Sequence, residues 1–455
     1  MDNTEEGRLS ESLEDIVKKY IITTAQYNAP INKNLEKNMK LYSNVNHGEI
    51  LILPTVGKNV LDDPILHPNL FNYAIIDHTH SINNSIKIKD FGVRAAQINP
   101  LTGLERFAQG DKSYIMPGTK QVLKYVANSY DEIPKAIMTT GAITQPNYNL
   151  KHRTGRIAEK DHTYGFVVVE VENSKFFHFR HVKSMKNGNF TDITGQYKNG
   201  RHYKNPGVKA MVLGDIHSGE TCVIHQKNTL DQIKHFGGKM DIYLHDVFNG
   251  KSISHHYINH NIRKHEVYKE QGLNLEKELE TTMKAINKYA NSTSGIVYIV
   301  ASNHDEHLYR FLDEGRFIGD KGNDLIGSKL YSATLEGYNP LEYGLSLVGK
   351  LPNNVRFIER KESHKVLGFE LGKHGDESAN GGRGSPRSIE SANSKSITGH
   401  THSAMIIRDT YKVGTSTKLR LDYNTGYSSW TQTNGVLYNI GTVQLLNTIK
   451  GKWHK

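Results

Sequence analysis

The chain has 455 residues, 36% of them hydrophobic and 23% charged, a globular balance that excludes a wholly disordered polymer and suggests more than one core. Its formal net charge of +10 favours polyanionic partners without naming one. The single cysteine, Cys222, excludes an internal disulfide and a thiolate zinc cluster, and no apolar run approaches the ~20 residues of a membrane span.

Residues 1–6 are acidic and polar, with no basic-then-apolar signal region, so a reducing cytoplasmic setting is expected. Residues 8–20 read as a short amphipathic helix, with Leu9, Leu13, Ile16 and Val17 on one side. Tyr20-Ile21-Ile22-Thr23-Thr24 reads as a buried strand. A helix over about 30–43 and a strand over 49–53 follow, giving the alternation of an α/β domain. Further strands are predicted at 136–140 and 164–171, with a hairpin partner at 176–180. Residues 1–205 are read as this first domain, whose role is open between DNA grip, assembly surface and lid.

The stretch 175–209 carries eight Lys or Arg and one acid, Asp192, with turn signals at Asn187-Gly188-Asn189 and Asn199-Gly200. It reads either as a solvated hairpin and linker or as a surface that tracks a phosphate backbone. After Asn205-Pro206-Gly207 the pattern changes, and 206–455 is read as the second domain. Strands are predicted at 209–213, 241–244, 295–301, 365–370 and 396–398. A helix over 273–291 places Leu275, Leu279, Met283 and Ile286 at helical spacing, and a β-rich tail covers 418–421 and 436–449.

Metal-binding side chains fall where those strands end. The successive ends read Gly214-Asp215-Ile216-His217, then His245-Asp246 with Asn249, then Ser302-Asn303-His304-Asp305. They continue with His374-Gly375-Asp376 and with Gly399-His400-Thr401-His402. Open α/β architectures place their ligand crevice at the carboxyl ends of strands. Residues two apart on extended backbone point the same way, so Asp215 with His217, and His400 with His402, can each grip one ion. Asp246 is the isolated acid available to bridge two cations. By contrast Asp77-His78-Thr79-His80 has no partner motifs and reads as surface. His255, His256 and His260 either line a substrate approach or are simply exposed.

The ordered set resembles the calcineurin-like metallophosphoesterase family over about 208–410. The family pattern is Asp-x-His, Gly-Asp-x-x-Asp/Asn, Gly-Asn-His-Asp/Glu, a lone His, and Gly-His-x-His. His245 and Ser302 stand where that pattern has glycine. The resemblance implies a two-sheet β-sandwich flanked by helices and a pair of divalent ions, manganese first, with iron or zinc as alternatives. By it, Asp215, His217, Asp246 and His402 hold one ion, and Asp246, Asn303, His374 and His400 the other. A water bridging the two ions would be the nucleophile. His304 would assist the leaving oxygen, and Asp305 would orient His304.

Between His374 and His400, Asn380-Gly381-Gly382-Arg383-Gly384-Ser385-Pro386-Arg387-Ser388 offers close backbone approach and two guanidinium forks. Ser385-Pro386 also reads as a helix start, so Arg383, Ser385 and Arg387 are candidate phosphate contacts. The whole chain further resembles a phage protein family in which an α/β domain precedes the phosphoesterase. The matching segments are Thr24-Ala25-Gln26-Tyr27-Asn28, Met138-Thr139-Thr140-Gly141-Ala142, 380–388, Arg420-Leu421-Asp422-Tyr423-Asn424 and Ser428-Ser429-Trp430. That resemblance implies an early DNase that degrades host DNA in the bacterial cytoplasm with manganese, working as a homo-oligomer. The alternatives are a phosphatase or small-nucleotide phosphodiesterase, and a catalytically inactive nucleic-acid-binding scaffold.

Overall fold

Along Val208–Val212 and into Leu213, Ala210 and Val212 face one core while Met211 and Leu213 face another. A strand's period of two imposes that division. All four side chains are fully buried, so both faces of the strand are covered, as in parallel sheets flanked on each side. The computed structural model describes residues 18–56, 64–108, 112–129, 135–270 and 272–454. The helix expected over 8–20 lies outside them except for 18–20, which begin the strand Lys18–Gln26.

The molecule is a mixed α/β structure. A six-stranded sheet runs in the order Val355–Ile358, Val297–Val300, Asp241–His245, Val208–Val212, Gln432–Tyr438, Val443–Thr448, its first four strands parallel. Helices Val223–His235, Leu275–Ala290, Asp305–Asp313, Asp324–Leu335 and Pro340–Val348 supply the crossovers between parallel strands or pack near them. Leu275, Leu279, Met283, Ile286 and Tyr289 form the buried stripe of the second of these, whose first turn is held by Asn274 accepting from Lys277 N at 2.8 Å. Each such fully buried side chain contributes roughly 1.5–3 kcal/mol of transfer free energy.

A five-stranded sheet has the order Phe177–Lys183, Gly165–Val171, Lys18–Gln26, Gly48–Thr55, Ala74–Ile75, with the helix Lys33–Asn46 on one face. It abuts the six-stranded sheet edge to edge: Asn447 Nδ2 donates to Phe179 O at 3.3 Å and Gln444 Nε2 to His181 O at 3.1 Å. A ten-stranded sheet covers the inner faces of both, and one continuous core of Ile22, Leu53, Val212, Tyr243, Leu123 and Ile406 fills the space between. This sheet draws on both halves of the chain. Met405–Ile407 pairs antiparallel with Gln121–Val126, Ile406 opposite Leu123, so backbone hydrogen bonding continues across the boundary drawn at 205.

Several elements differ from the sequence reading. The strand expected over 365–370 is a tight hairpin, Lys365–Val366 against Phe369–Glu370. It turns where Leu367 (φ 51°) and Gly368 (φ 83°) are both left-handed, the conformation a two-residue hairpin requires. Residues 418–421 form loop rather than strand. In the basic stretch Arg180 does not face solvent. It lies 5% exposed, forked onto Asp192 at 2.8 and 2.9 Å and paired with Glu170 at 3.1 Å. A buried guanidinium needs such partners, and the one acid of that stretch supplies two of the contacts.

Candidate metal centre

The ends of three parallel strands and two loops of the ten-stranded sheet meet at one place. Gly214 is needed there, because a Cβ would lie 2.8 Å from the Thr415 carbonyl carbon. Its neighbour Asp215 N donates to Gly414 O at 3.1 Å. Gly399 is as constrained, since a Cβ would sit 2.1 Å from Asp215 Oδ1. Four of the seven candidate ligands have left-handed backbone: His217 (φ 42°), Asp246 (φ 44°), His400 (φ 75°) and His402 (φ 55°). Non-glycine residues rarely adopt that region, and such strain collects where the surrounding fold must aim a side chain.

The side chains converge. Asp215, His217, Asp246 and His402 are buried, and one ligand atom from each lies within 4.8 Å of all the others. His402 Nε2 is 3.1 Å from Asp215 Oδ2, and His217 Nε2 is 3.6 Å from Asp246 Oδ2. His374 Nε2 lies 3.1 Å from the same Asp246 oxygen, and His400 Nδ1 lies 3.1 Å from Asn303 Oδ1. His374 and His400 have ring centroids 5.2 Å apart. Asp246 thus stands between His217 on one side and His374 on the other.

The donor set suits a cation. Asp215 Oδ1, Asp246 Oδ1 and His217 Nδ1 are buried without a hydrogen-bond partner. The Nε2 atoms of His217 and His402 lie 3.0 Å apart, close enough to share one proton or to turn onto one cation. Burial opposes ionisation of Asp215 and Asp246, yet the surrounding imidazoles outweigh it. Asp215 is held down at about 2, by His402 and His374, and Asp246 well below its usual range, by His374 and His304. Burial likewise opposes charge on His374, but Asp246 and Asp215 hold it up at about 9. A cation in the same place would supply that charge and release the proton. Carboxylate, amide and imidazole without thiolate match manganese, iron or zinc.

His304 packs edge-on to His217, ring centroids 4.5 Å apart. Its Nδ1 donates to Asn249 O at 2.7 Å, which leaves Nε2 as the nitrogen that takes or gives a proton. The orienting role expected of Asp305 therefore falls to the Asn249 carbonyl. Asp305 Oδ2 accepts from Ser302 N at 2.9 Å, fixing the turn that presents Asn303 and His304. Burial pushes the Asp305 carboxyl up to about 7, against the pull of that amide.

Ser385 does start a helix, Pro386–Asn393, accepting from Ser388 N at 3.2 Å. Arg387, however, bonds Thr102 Oγ1 at 2.9 Å beside a cavity of ≈ 280 Å³ lined by Leu101, Met405 and Ile407, which none of the seven ligands borders. Arg383 is exposed on a backbone bridge to Glu377, and the next residue, Gly384, donates to Asp376 O at 2.7 Å, so that loop does press against the segment after His374. Asp77 and His78 are exposed and bonded to each other at 3.0 Å. His256 and His255 continue outward from His304 through His307, ring centroids 5.2 and then 5.9 Å apart, while His260 is exposed.

Four residues have contacts at the site that the sequence reading did not assign to them. His245 is fully buried, its Nδ1 3.4 Å from His374 Nδ1; burial, then the charge on His374, brings it down to about 4. Its strand parity with Tyr243, toward the ten-stranded sheet, was the available signal. Asn249 acts through its carbonyl, which no side-chain motif reveals. Trp430 meets His402 edge-on at 4.2 Å. Arg360 joins Asp376 and Glu306, both at 2.9 Å, binding the segment after His374 to the helix after Asn303. Among the described residues a second group, Glu172, His178 and His454, also lies within 4.8 Å, but Lys452 already pairs with Glu172.

No family model matches the chain, and no solved structure matches it. No described helix is long and apolar enough to cross a membrane. The chain is similar to Protein A1 of Escherichia phage T5, with 28% identity over 469 aligned positions that cover 96% of this chain and 83% of that protein. The chain is thus a protein of mixed α/β fold, similar over most of its length to a phage protein, with a buried Asp/His cluster that could hold a metal ion.

Proposed function

We propose that this chain is a metal-dependent phosphodiester hydrolase acting on DNA, built on a calcineurin-like pair of facing sheets. The observation that carries the reading is the convergence of Asp215, His217, Asp246 and His402 within 4.8 Å, with His374, Asn303 and His400 adjoining. Two divalent ions, when bound, would supply a Lewis acid and the charge that steadies phosphoryl oxygens. Asp215, His217, Asp246 and His402 would hold the first, and Asp246, Asn303, His374 and His400 the second.

The chain's own residues do the rest. The Asn249 carbonyl fixes His304 so that its Nε2 can deliver a proton to a departing sugar oxygen. Asp305, through the Ser302 amide, and Arg360, through Glu306 and Asp376, keep the two ligand-bearing loops at a fixed separation. The net charge of +10 and the likeness to a phage protein support a nucleic-acid substrate met in a bacterial host.

A phosphatase or small-nucleotide phosphodiesterase is the competing reading. Purified protein with manganese is incubated in parallel with plasmid, single-stranded DNA and bis(p-nitrophenyl) phosphate. Metal-dependent loss of DNA, abolished by EDTA, is expected. Rapid ester turnover beside intact DNA overturns the nuclease reading, and inertness toward all three overturns the hydrolase reading.

A further inference from the structure

The segment from Lys418 to Thr431 was predicted to be partly strand and carries no ligand motif, yet it borders the metal centre. Thr431 N donates to His402 O at 2.9 Å, and the hydroxyls of Ser429 and Ser403 meet at 2.8 Å. Trp430 stands edge-on to the His402 ring at 4.2 Å, and Tyr423 packs on Trp430 at 5.8 Å. Burial pushes the Tyr423 hydroxyl up, and the charges of Tyr257 and Asp246 add to this. Tyr423 is nevertheless 50% exposed and Tyr427 80% exposed. Tyr257 borders the same rim, its hydroxyl 3.4 Å from Asp422, with the Lys251 ammonium 5.5 Å from its ring centre.

Aromatic faces open to solvent and tied through the Trp430 ring to the candidate ligand His402 match one kind of occupant. A base attached to a phosphate at the centre lies only a sugar away, and every base has a face that stacks on an aromatic ring irrespective of sequence. A base inside a duplex offers only its edges, because its faces are already stacked. Resting on the phosphodiester-hydrolase reading, we infer that the 418–430 loop is a base-stacking platform, with Tyr427 and Tyr423 receiving an unpaired base next to the scissile phosphate. The substrate is then single-stranded or locally opened nucleic acid.

The test uses the full chain, wild type against Tyr427→Ala, Tyr427→Phe and Tyr423→Ala, with two oligonucleotides of equal length. One bears bases throughout; the other is abasic around its centre. Binding is read by fluorescence anisotropy in EDTA, and cleavage with manganese. Tyr427→Ala should raise KM and Kd for the base-bearing strand about tenfold, the scale set by loss of one base–aromatic stack. That penalty should vanish on the abasic strand, and Tyr427→Phe, which keeps the ring, should retain tight binding. Because Tyr427 is so exposed, its truncation leaves the fold intact even where Tyr423→Ala does not. Equal wild-type affinity for the two strands, or an unchanged Tyr427→Ala, overturns the platform. Base-dependent, Tyr427-dependent binding without cleavage would support the platform and remove the hydrolase reading instead.

Discussion

Replacing Asp246 by Asn probes the centre at its pivot. The carboxylate is 1% exposed, 3.1 Å from His374 Nε2 and 3.6 Å from His217 Nε2. A divalent ion within the 4.8 Å span of the cluster would interact with that charge by about 7 kcal/mol at an effective dielectric of 20. If ion and carboxylate desolvation offset half of this, the substitution still weakens binding by roughly three powers of ten in Kd. Asparagine keeps the shape and an acceptor for His374 but loses the ion pair with it, so the metal-free variant should be less stable than the wild type, and each protein is read against its own baseline in EDTA. Thermal unfolding in EDTA and with increasing manganese provides the measurement. Manganese at about a hundred times Kd should stabilise the wild type by about 2.7 kcal/mol. Asp246→Asn should show no shift at that concentration. An equal shift in both proteins, with the same half-saturation, would remove Asp246 from the ligands and with it the two-ion reading.

His304→Ala should lower kcat for DNA by about 10²–10⁴ while leaving the manganese-induced thermal shift in place, since His304 assists a proton and holds no ion; loss of the shift would reassign it as a ligand. Arg180→Met leaves Asp192 and Glu170 buried without their guanidinium and should cost about 3–5 kcal/mol in urea unfolding, a change below 1 kcal/mol counting against the network. Burial brings His181 and His225 down to about 4 from the ordinary 6.5. The unfolded chain therefore takes up these protons first, and stability that is full above pH 6.5 is lost as pH falls toward 4. At pH 5 this amounts to about 2 kcal/mol per histidine, read as a fall in urea midpoint between pH 7 and 5. The double variant His181→Gln/His225→Gln should lose about 4 kcal/mol less over that interval, while other buried histidines such as His245 still titrate; the same fall would exonerate both.

The candidate ligand positions were legible because most of them follow a short apolar run whose length and composition announce a strand. Asp215, Asp246 and Asn303 follow buried strands within a few residues, and the pairs Asp215/His217 and His400/His402 advertise themselves by spacing. Their aim was not legible. The left-handed backbone at His217, Asp246, His400 and His402 rests on close approaches, such as Gly214 to Thr415 and Gly399 to Asp215, between segments some two hundred positions apart. Sequence spacing placed Asp305 beside His304, but helix geometry turned its carboxylate to the Ser302 amide and gave His304 to a backbone carbonyl. Leu367-Gly368 shows the converse error, where an apolar run hid a two-residue turn.

By itself the sequence determined what period-two and period-3.6 burial can encode: the α/β alternation, the parallel strands with helical crossovers, and the chemical type of the side chains at their ends. Those properties are local, since they depend on neighbours within a few residues. Only the tertiary structure decided that Gln121–Val126 pairs with Met405–Ile407, that Arg180 turns inward to Asp192, and that Trp430 and Tyr423 stand beside His402. Such contacts arise from which surfaces are left to cover once each element has formed. That outcome depends on the shapes of the whole set and not on any one stretch of chain.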